Sequence, residues 1–401
     1  MQKLTIARLA GFICATLFAI SSNADDDLTQ RAADIAQKYP IIDTHIDVPY
    51  RLHDHWQDVT QATDRGDFDY PRAVKGGLSA PFMSIYIPSS LEAEGGGVEL
   101  ANQLIDQVEA ITARAPDKFS LIRRSEDVMT LFNQGKIGLA MGMENGSPIA
   151  GDLKNLDHFY ARGIRYITLT HAQANHIADS SYDEVRLWNG LSPFGKELVG
   201  AMNAKGMIVD ISHVSDAAFY EVLEVSTAPV VASHSSARHF TPGWERNMSD
   251  AMIKALGKKD GVIMINFGSS FLTDEARKHS DNLRALAKQF ANRNTLDEHD
   301  PKVKQYAEAY KQKSPFPYAM VDDVADHIDR VVKLAGIDHV GLGSDFDGVG
   351  DTLPTGLKDV SMYPNLIAAL LKRGYKETDI EKILYQNFLR VWRAVEARAE
   401  E

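Results

Sequence analysis

The chain contains almost no cysteine, because Cys14 is the only one among its 401 residues. Cys14 lies in an N-terminal segment that we expect to be removed, so disulfide bonds cannot stabilise the mature protein. Basic residues are also scarce relative to acidic ones, 43 against 55, and the formal net charge is -12. Since a phosphate backbone needs a basic face, this balance argues against a nucleic-acid-binding protein.

The sequence also lacks a hydrophobic run long enough to span a bilayer comfortably. The apolar stretch Leu9–Ile20 follows the basic Arg8 and precedes Ser22-Asn23-Ala24, which is the pattern of a secretory signal peptide. We therefore predict a signal peptide over residues 1–24 and a mature chain that begins at Asp25. This chain would be secreted or periplasmic without a stable membrane anchor, although an N-terminal anchor is the alternative left open by the hydropathy.

Eight short apolar runs recur along the chain, separated by segments with helical patterning. The runs are Ile41–His45, Phe82–Ile87, Lys136–Glu144, Gly163–His171, Met207–His213, Pro229–His234, Gly261–Phe267 and His339–Asp345. Such runs are typical of parallel strands buried on both faces. Eight strand–helix units predict an α/β fold, a TIM-type (β/α)8 barrel in a single domain over 25–401. A doubly wound sheet is the alternative, but no Gly-rich phosphate loop follows an early strand to favour it.

The stretch 271–317 is longer than one crossover requires. It is polar, with helical patterning around Asp281–Phe290 and Val303–Lys311. We predict an elaborated loop after strand seven, which in a barrel lies on the active-site side. A peripheral helical insertion without a catalytic role is an equal alternative.

Side chains that can bind a metal or transfer a proton end six of the predicted strands. They are His45, Glu144, His171, His213, His234 and Asp345. Barrel enzymes build their sites at the carboxyl ends of several strands, so these side chains are expected to meet. His45 and Asp47 stand two positions apart on an extended segment, point to one face, and suit zinc. A histidine hydrogen-bonded to a neighbouring carboxylate would give the same pattern.

The remaining polar residues each allow two interpretations. Glu144 follows an apolar run, where an unpaired carboxylate is costly, so it either bridges metal ions or forms a salt bridge. His213 and His234 could hold a second metal or contribute ordinary core polarity. Asp345 and Asp347 lie in a Gly-rich turn that could also be a calcium loop or a plain turn.

Taken together, these residues stand in motifs that resemble the renal (membrane) dipeptidase family of zinc peptidases. The resemblance runs from about Ile41 to Val395. Its motifs are Asp43–Pro49, Gly142–Glu144, Arg165–His171, Asp210–Ser215, Ser233–Ala237, Arg246-Asn247, Gly343–Gly348, Pro354–Leu357, Asp359–Ser361 and Tyr363-Pro364.

The resemblance implies a zinc-dependent dipeptidase that cleaves the amide bond of small dipeptides, including some with a D-residue at the second position. The reaction would use a water held between two zinc ions per chain. His45 and Asp47 would bind one ion, His213 and His234 would bind the other, and Glu144 would bridge them.

The resemblance also implies roles for residues that are not ligands. His171 would contact the substrate and stabilise its developing oxyanion, and Asp345 would contact the bridging water and transfer the proton. Arg246 would hold the substrate carboxylate, a pairing that guanidinium geometry favours. Asn145–Ser147 and Ala172–Ile177 depart from the usual family runs, so the substrate pocket is expected to differ from that of relatives.

Two other functions compete with this interpretation. A related barrel amidohydrolase acting on cyclic amides or lactones would share the metal ligands but would not need Arg246. A non-catalytic barrel protein is the other, and a missing Glu144 or Asp345 would have favoured it. A homodimer is compatible with each of these functions.

Overall fold

The computed structural model describes residues 27–297 and 300–399. Its strands are β1 (Ile41–Ile46), β2 (Leu78–Tyr86), β3 (Phe119–Leu121), β4 (Ile137–Glu144), β5 (Ile164–Thr168), β6 (Ile208–Asp210), β7 (Val231–Ser235), β8 (Val262–Ile265) and β9 (Val340–Leu342). All strands except β3 form a closed ring of eight parallel strands, which the pairing of β2 with β4 completes. The predicted TIM-type (β/α)8 barrel is therefore confirmed.

Two details of the strands differ from the sequence expectation. The apolar-run pattern does not predict β3, a three-residue strand outside the ring that pairs only with β4. In addition, β6 and β9 end before His213 and Asp345, which were expected to be their last residues. Both of these residues have positive φ, 69° and 64°, so the backbone has already left the extended conformation.

Helices connect the strands and surround the ring. They are α1 (27–38), α2 (Val48–Asp54), α3 (Tyr70–Gly76), α4 (Leu91–Glu94), α5 (Gly97–Arg114), α6 (Ser125–Asn133), α7 (Leu153–Arg162), α8 (Pro193–Lys205), α9 (Asp216–Val225), α10 (Asp250–Lys258), α11 (Ser269–Leu272), α12 (Asp274–Asn294), α13 (Pro301–Lys313), α14 (Val321–Ala335), α15 (Tyr363–Lys372), α16 (Glu377–Glu381) and α17 (Asn387–Glu396). Several begin at a capping side chain: Ser192 and Ser215 accept hydrogen bonds from the first turns of α8 and α9. Gly163 ends α7 in the left-handed conformation, at φ 105°.

The barrel interior is filled by side chains at alternate strand positions. Phe82 and Tyr166 belong to this inner cluster, and Phe388 and Trp392 of α17 pack against Phe82 with ring centroids 5.2 Å away in both cases. Because α17 meets residues from the first halves of strands, such as Ile42, it closes the amino-terminal end of the barrel. The carboxyl ends of the strands are left to carry polar groups.

The insertion after the seventh ring strand, β8, consists of α11, α12 and α13. The helical patterning expected around 281–290 and 303–311 falls within α12 and α13. Phe271, Arg277 and Asp281 from this insertion line the cavity at the barrel mouth, so the insertion lies on the active-site side as predicted. Within the two described ranges, no helix is both long and apolar enough to cross a membrane. The predicted signal peptide over 1–24 lies outside them.

Candidate metal and catalytic site

The predicted site residues meet at the carboxyl ends of the barrel strands. A cavity of about 620 Å³ opens there, and Asp47, Glu144, His171, His213 and Asp345 line it. His45, His234 and Arg246 are almost completely buried beside it, at 0%, 1% and 2% exposure. The structure thus brings together every residue that the sequence nominated for this site.

Glu144 lies at the centre of the cluster. Its Oε1 is 3.1 Å from His213 Nε2 and 3.2 Å from His234 Nε2, and these two nitrogens are 2.8 Å apart. Its Oε2 is 3.5 Å from His45 Nε2 on the other side. One oxygen of the carboxylate therefore faces two imidazole nitrogens and the other oxygen faces a third, an arrangement that suits a ligand shared by two cations.

Asp47 and Asp345 complete the His45 side of the cluster. His45 Nε2 is 3.5 Å from Asp47 Oδ2, and the three residues each place one ligand atom within 4.8 Å of the others. Asn266, directly after β8, donates through Nδ2 to Asp345 Oδ2 at 2.7 Å. This bond occupies one carboxyl oxygen of Asp345 and leaves the other available to the cluster.

A hydrogen-bond chain fixes the tautomer of His45. The Tyr166 hydroxyl donates to the carbonyl oxygen of Thr44 at 3.0 Å, so its oxygen accepts from His45 Nδ1 at 2.9 Å. The proton of the neutral imidazole is therefore on Nδ1, and the lone pair of Nε2 points towards Glu144 and Asp47.

A second chain fixes the tautomer of His234. Ser233 Oγ lies 2.6 Å from Asp210 Oδ2 and 2.7 Å from His234 Nδ1. The Ser233 hydroxyl donates to Asp210, so its oxygen accepts from His234 Nδ1. The lone pair of His234 Nε2 is consequently directed at Glu144. Outer-shell bonds of this kind orient metal-binding histidines in known sites.

The cluster fits a metal centre better than a closed hydrogen-bond network. His45 Nε2 has no hydrogen-bond partner within the described part of the chain, although it is buried. A buried polar atom without a partner is costly, and a cation would relieve that cost. Imidazole nitrogen and carboxylate oxygen are ligands that zinc prefers. The residues present therefore fit zinc.

At His213, His234 and Glu144 the electrostatics favour the protonation states that ligands require. At His45 they do not: burial alone would lower its pKa, but Tyr166, Glu144 and Asp47 raise it well above its usual range, so this imidazole must release a proton when a cation binds. Burial lowers the pKa of His213 and of His234 well below the usual range, so both imidazoles are neutral near pH 7. Burial alone would raise the pKa of Glu144, but the neighbouring imidazoles of His45 and His171 help to hold it well below its usual range. Neutral histidine and ionised glutamate are the forms that bind metal.

Asp345 has the opposite electrostatic setting. Burial raises the pKa of Asp345 well above its usual range, and the negative charge of Asp47 raises it further. A carboxyl group in this setting can hold a proton near neutral pH, which suits a proton-transfer group.

His171 and Arg246 flank the cluster. His171 Nε2 is 3.5 Å from Glu144 Oε1, and its ring contacts the edge of Tyr86 at the cavity wall. Arg246 lies behind the wall rather than in its lining, with Nη1 donating to Ser235 Oγ and Nη2 to the carbonyl oxygen of His234, both at 2.7 Å. Nη2 also donates to His213 Nε2 at 3.0 Å. Its buried Nε has no partner among the described residues, so Nε and the second hydrogen of Nη1 are the donors left for a ligand.

Backbone conformation and one close contact mark this end of the barrel as constrained. His213 and Asp345 carry positive φ although neither is glycine, and such strain clusters at functional sites. Gly348 lies so close to two carboxylates that an added Cβ would fall 2.2 Å from Asp47 Oδ2 and from Asp345 Oδ1. Only glycine lets the loop after β9 approach the cluster this closely.

Sequence reasoning missed several residues that support the site. Tyr166, Ser233 and Asn266 all contact a nominated residue through a hydrogen bond, yet none was assigned a role. Alternate residues of a strand face the same side of the sheet. Tyr166 stands two positions before Thr168 on β5 and faces the barrel interior, so this alternation could have identified it. Asn266 could have been found by the strand-end rule, since it directly follows β8.

Comparisons with known proteins agree with this arrangement. A family model described as membrane dipeptidase (peptidase family M19) matches residues 29–401. Dipeptidase tcpJ of Claviceps purpurea is 36% identical over 338 residues, which cover 82% of this chain and 70% of that protein. An uncharacterized dipeptidase of Schizosaccharomyces pombe is 32% identical over 383 residues, covering 92% and 83%.

A solved structure shows the same fold. The crystal structure of the probable dipeptidase PvdM from Pseudomonas aeruginosa superposes with a TM-score of 0.81 at 30% identity, covering 93% of this chain and 100% of that one. The family match spans nearly the whole described chain, and the cluster of imidazoles and carboxylates supplies the ligands that a metallopeptidase needs. The chain therefore belongs to the membrane dipeptidases of peptidase family M19, and it is a metal-dependent dipeptide hydrolase.

Proposed function

We propose that this dipeptidase uses two zinc ions per chain. The observation that carries the proposal is the position of the Glu144 carboxylate, with one oxygen facing His45 and the other facing His213 and His234. The two hydrogen-bond chains that direct the lone pairs of His45 and His234 towards Glu144 give further support. A salt bridge to arginine or lysine, the alternative explanation of Glu144, has no such partner at hydrogen-bond distance among the described residues.

In this proposal His45 and Asp47 hold one ion, His213 and His234 hold the other, and Glu144 bridges them. Zinc bound there supplies a Lewis acid that polarises a carbonyl and lowers the pKa of water towards neutrality. A Glu144→Gln change would remove the charge that balances the ions and should abolish the binding of at least one of them.

The other residues act on the substrate. The Arg246 guanidinium binds the free carboxylate of the dipeptide and so sets the distance to the scissile amide. The His171 imidazole, at the cavity wall, opposes negative charge on the carbonyl oxygen. Asp345, held at Oδ2 by Asn266, passes a proton through its other oxygen to the leaving amine.

The test combines metal analysis with a substrate panel. Purified mature protein loaded with zinc should contain two ions per chain by elemental analysis, and chelation should remove both the ions and the activity. It should hydrolyse L,L-dipeptides and, as we also propose, some L,D-dipeptides. One ion at full activity would contradict the dinuclear site. Hydrolysis of cyclic amides or lactones in place of dipeptides would contradict the substrate class.

We further propose that residues 1–24 are a signal peptide and that the mature protein is secreted or periplasmic. The support is the sequence pattern alone, a basic start, an apolar stretch and the small residues before Asp25. N-terminal sequencing of the protein isolated from its host should find Asp25 or a near neighbour first. An intact Met1 would refute this proposal. We also propose a homodimer, which sedimentation analysis at micromolar concentration would test.

A further inference from the structure

Three aromatic side chains from three different loops form one wall of the cavity, which we name the aromatic wall: Tyr182, Trp244 and Phe271. Tyr182 lies in the loop after β5, Trp244 in the loop after β7, and Phe271 in α11. Trp244 packs edge-on against Phe271 with ring centroids 5.0 Å apart, and against Tyr182 at 6.2 Å. Each of these side chains keeps part of its surface exposed, Tyr182 39% of it. The wall is therefore open to a ligand.

The aromatic wall stands directly beside the groups that would hold the C-terminal end of a dipeptide. The Arg246 guanidinium lies over the Phe271 ring at 5.1 Å from its centroid, and Trp244 precedes Arg246 by two positions in the same loop. Tyr182 contacts His213, with ring centroids 5.8 Å apart. The wall thus spans the space between the carboxylate-binding arginine and one of the nominated ligands.

We propose that the aromatic wall is the subsite for the side chain of the C-terminal residue, and that it selects large apolar or aromatic side chains there. The inference rests on the proposed role of Arg246. In an amino acid the side chain branches from the carbon next to the carboxylate, so a carboxylate at Arg246 places this side chain within reach of Phe271 and Trp244. Burying an apolar group against these rings removes it from water and adds aromatic contacts.

The charges at the rim of the cavity do not favour an acidic side chain instead. Two cations of α12, Arg277 and Arg284, line the cavity, and the Arg277 guanidinium is already paired with Asp274 and Asp281, both at 2.8 Å. Arg284 is largely exposed and shares Asp281 at 3.5 Å. Because these cations are neutralised by their own partners, an acidic side chain would gain little from them.

The kinetic test uses dipeptides that differ only in the second residue. Zinc-loaded protein should cleave Ala-Phe and Ala-Leu with kcat/KM at least about tenfold above that for Ala-Ala, and Ala-Asp should be no better than Ala-Ala. Trp244→Ala and Phe271→Ala should each lower the Ala-Phe to Ala-Ala ratio by at least about fivefold, while Phe271→Leu should keep most of it. The ratio of the two kcat/KM values reports on the side-chain subsite alone, because a weaker contact between Arg246 and the carboxylate would lower kcat/KM for both substrates equally.

The matched control is Trp56→Ala, since Trp56 is 63% exposed and lies outside the cavity lining. This variant should keep the wild-type ratio, and thermal unfolding should show that all variants are folded. Equal rates for Ala-Phe and Ala-Ala, a preference for Ala-Asp, or ratios unchanged in both wall variants would overturn the inference while leaving the dipeptidase intact.

A binding measurement does not depend on turnover. Free L-phenylalanine and L-alanine carry the same carboxylate and differ only in the side chain that the wall would contact. By titration calorimetry, L-phenylalanine should bind the zinc-loaded protein at least about tenfold more tightly, and Trp244→Ala should reduce this difference. If no dipeptide is cleaved, only the proposed function is refuted. Equal affinity for the two amino acids would refute the subsite.

Discussion

The hydroxyl of Tyr166 should control zinc binding although it does not touch the metal position. In Tyr166→Phe, His45 Nδ1 loses its acceptor and the carbonyl oxygen of Thr44 loses its donor. The imidazole of His45 is then free to carry its proton on Nε2, which would remove the lone pair that faces Glu144 and Asp47. The change deletes one oxygen atom and keeps the ring that fills the barrel.

The size of the effect follows from burial. Tyr166 and His45 are both completely buried, so water cannot replace the lost bonds. Leaving a buried donor or acceptor unpaired costs about 1–3 kcal/mol, and the free energy of unfolding should fall by about that amount. Loss of an outer-shell partner weakens metal affinity by about 10–100-fold in known sites, so we expect the ion held by His45 to bind that much more weakly.

The assay is metal content after equilibration with chelators of graded affinity. If the site holds two zinc ions as proposed, Tyr166→Phe should lose one at a chelator strength that leaves both in the wild type. Ser233→Ala removes the group between Asp210 and His234, so it should weaken the other ion in the same way. Tyr375→Phe is the matched control, because it deletes a hydroxyl that donates to Asp329 at 2.7 Å, and neither residue lines the cavity. If Tyr166→Phe retains both ions as firmly as Tyr375→Phe does, the tautomer argument is wrong.

Three further changes test the proposed carboxylate contact of Arg246, the packing around Tyr166 and the pH dependence of stability. Arg246→Ala should lower kcat/KM for dipeptides at least about tenfold, or about 1.4 kcal/mol, and dipeptide amides should lose little, as steady-state kinetics would show. Gly142→Ala should weaken zinc binding in the chelator assay without touching a ligand, because the new methyl group would fall 1.9 Å from the Tyr166 ring. Burial lowers the pKa of His327 to about 4, and its Nδ1 accepts from the amide of Ala237. The unfolded chain takes up this proton near pH 6.5, so stability present above pH 6.5 should be lost as the pH falls to about 4, by up to about 3 kcal/mol. Urea unfolding of the wild type and His327→Gln should therefore converge over that range, and a constant difference would contradict the assignment.

The barrel could be predicted from the sequence because the patterns that indicate its strands and helices are local. Each buried parallel strand is a continuous apolar run, and each run is followed by helical patterning, so eight repeats identify the architecture. The boundaries were predicted less well: β5 ends at Thr168, three residues before His171. Strand ends depend on where neighbouring strands stop pairing, and this is a property of the ring rather than of one segment. The short β3 was not predicted for the same reason, because among the described residues it pairs only with β4.

The site was predictable in its members but not in its interactions. His45, Glu144 and His234 end or nearly end apolar runs, and this position marks them without any knowledge of the fold. Their supporting partners come from distant segments: Tyr166 lies 121 residues from His45, and Asn266 lies 79 residues from Asp345. No local pattern connects such pairs. The aromatic wall was not predicted for a further reason, because aromatic residues in loops also occur without any function.

Packing of the barrel interior and chemistry of the site are parts of one arrangement. On β4 the inward positions pass from Ala140 through Gly142 to Glu144, so a residue without a side chain stands directly below the Glu144 carboxylate. The ring of Tyr166 fills that space, and its hydroxyl orients His45. A larger residue at 142 would displace the ring, and a smaller one at 166 would leave a cavity and release the imidazole. The hydrophobic layer therefore does more than stabilise the barrel, because its shape determines which nitrogen of His45 is free to bind a metal ion.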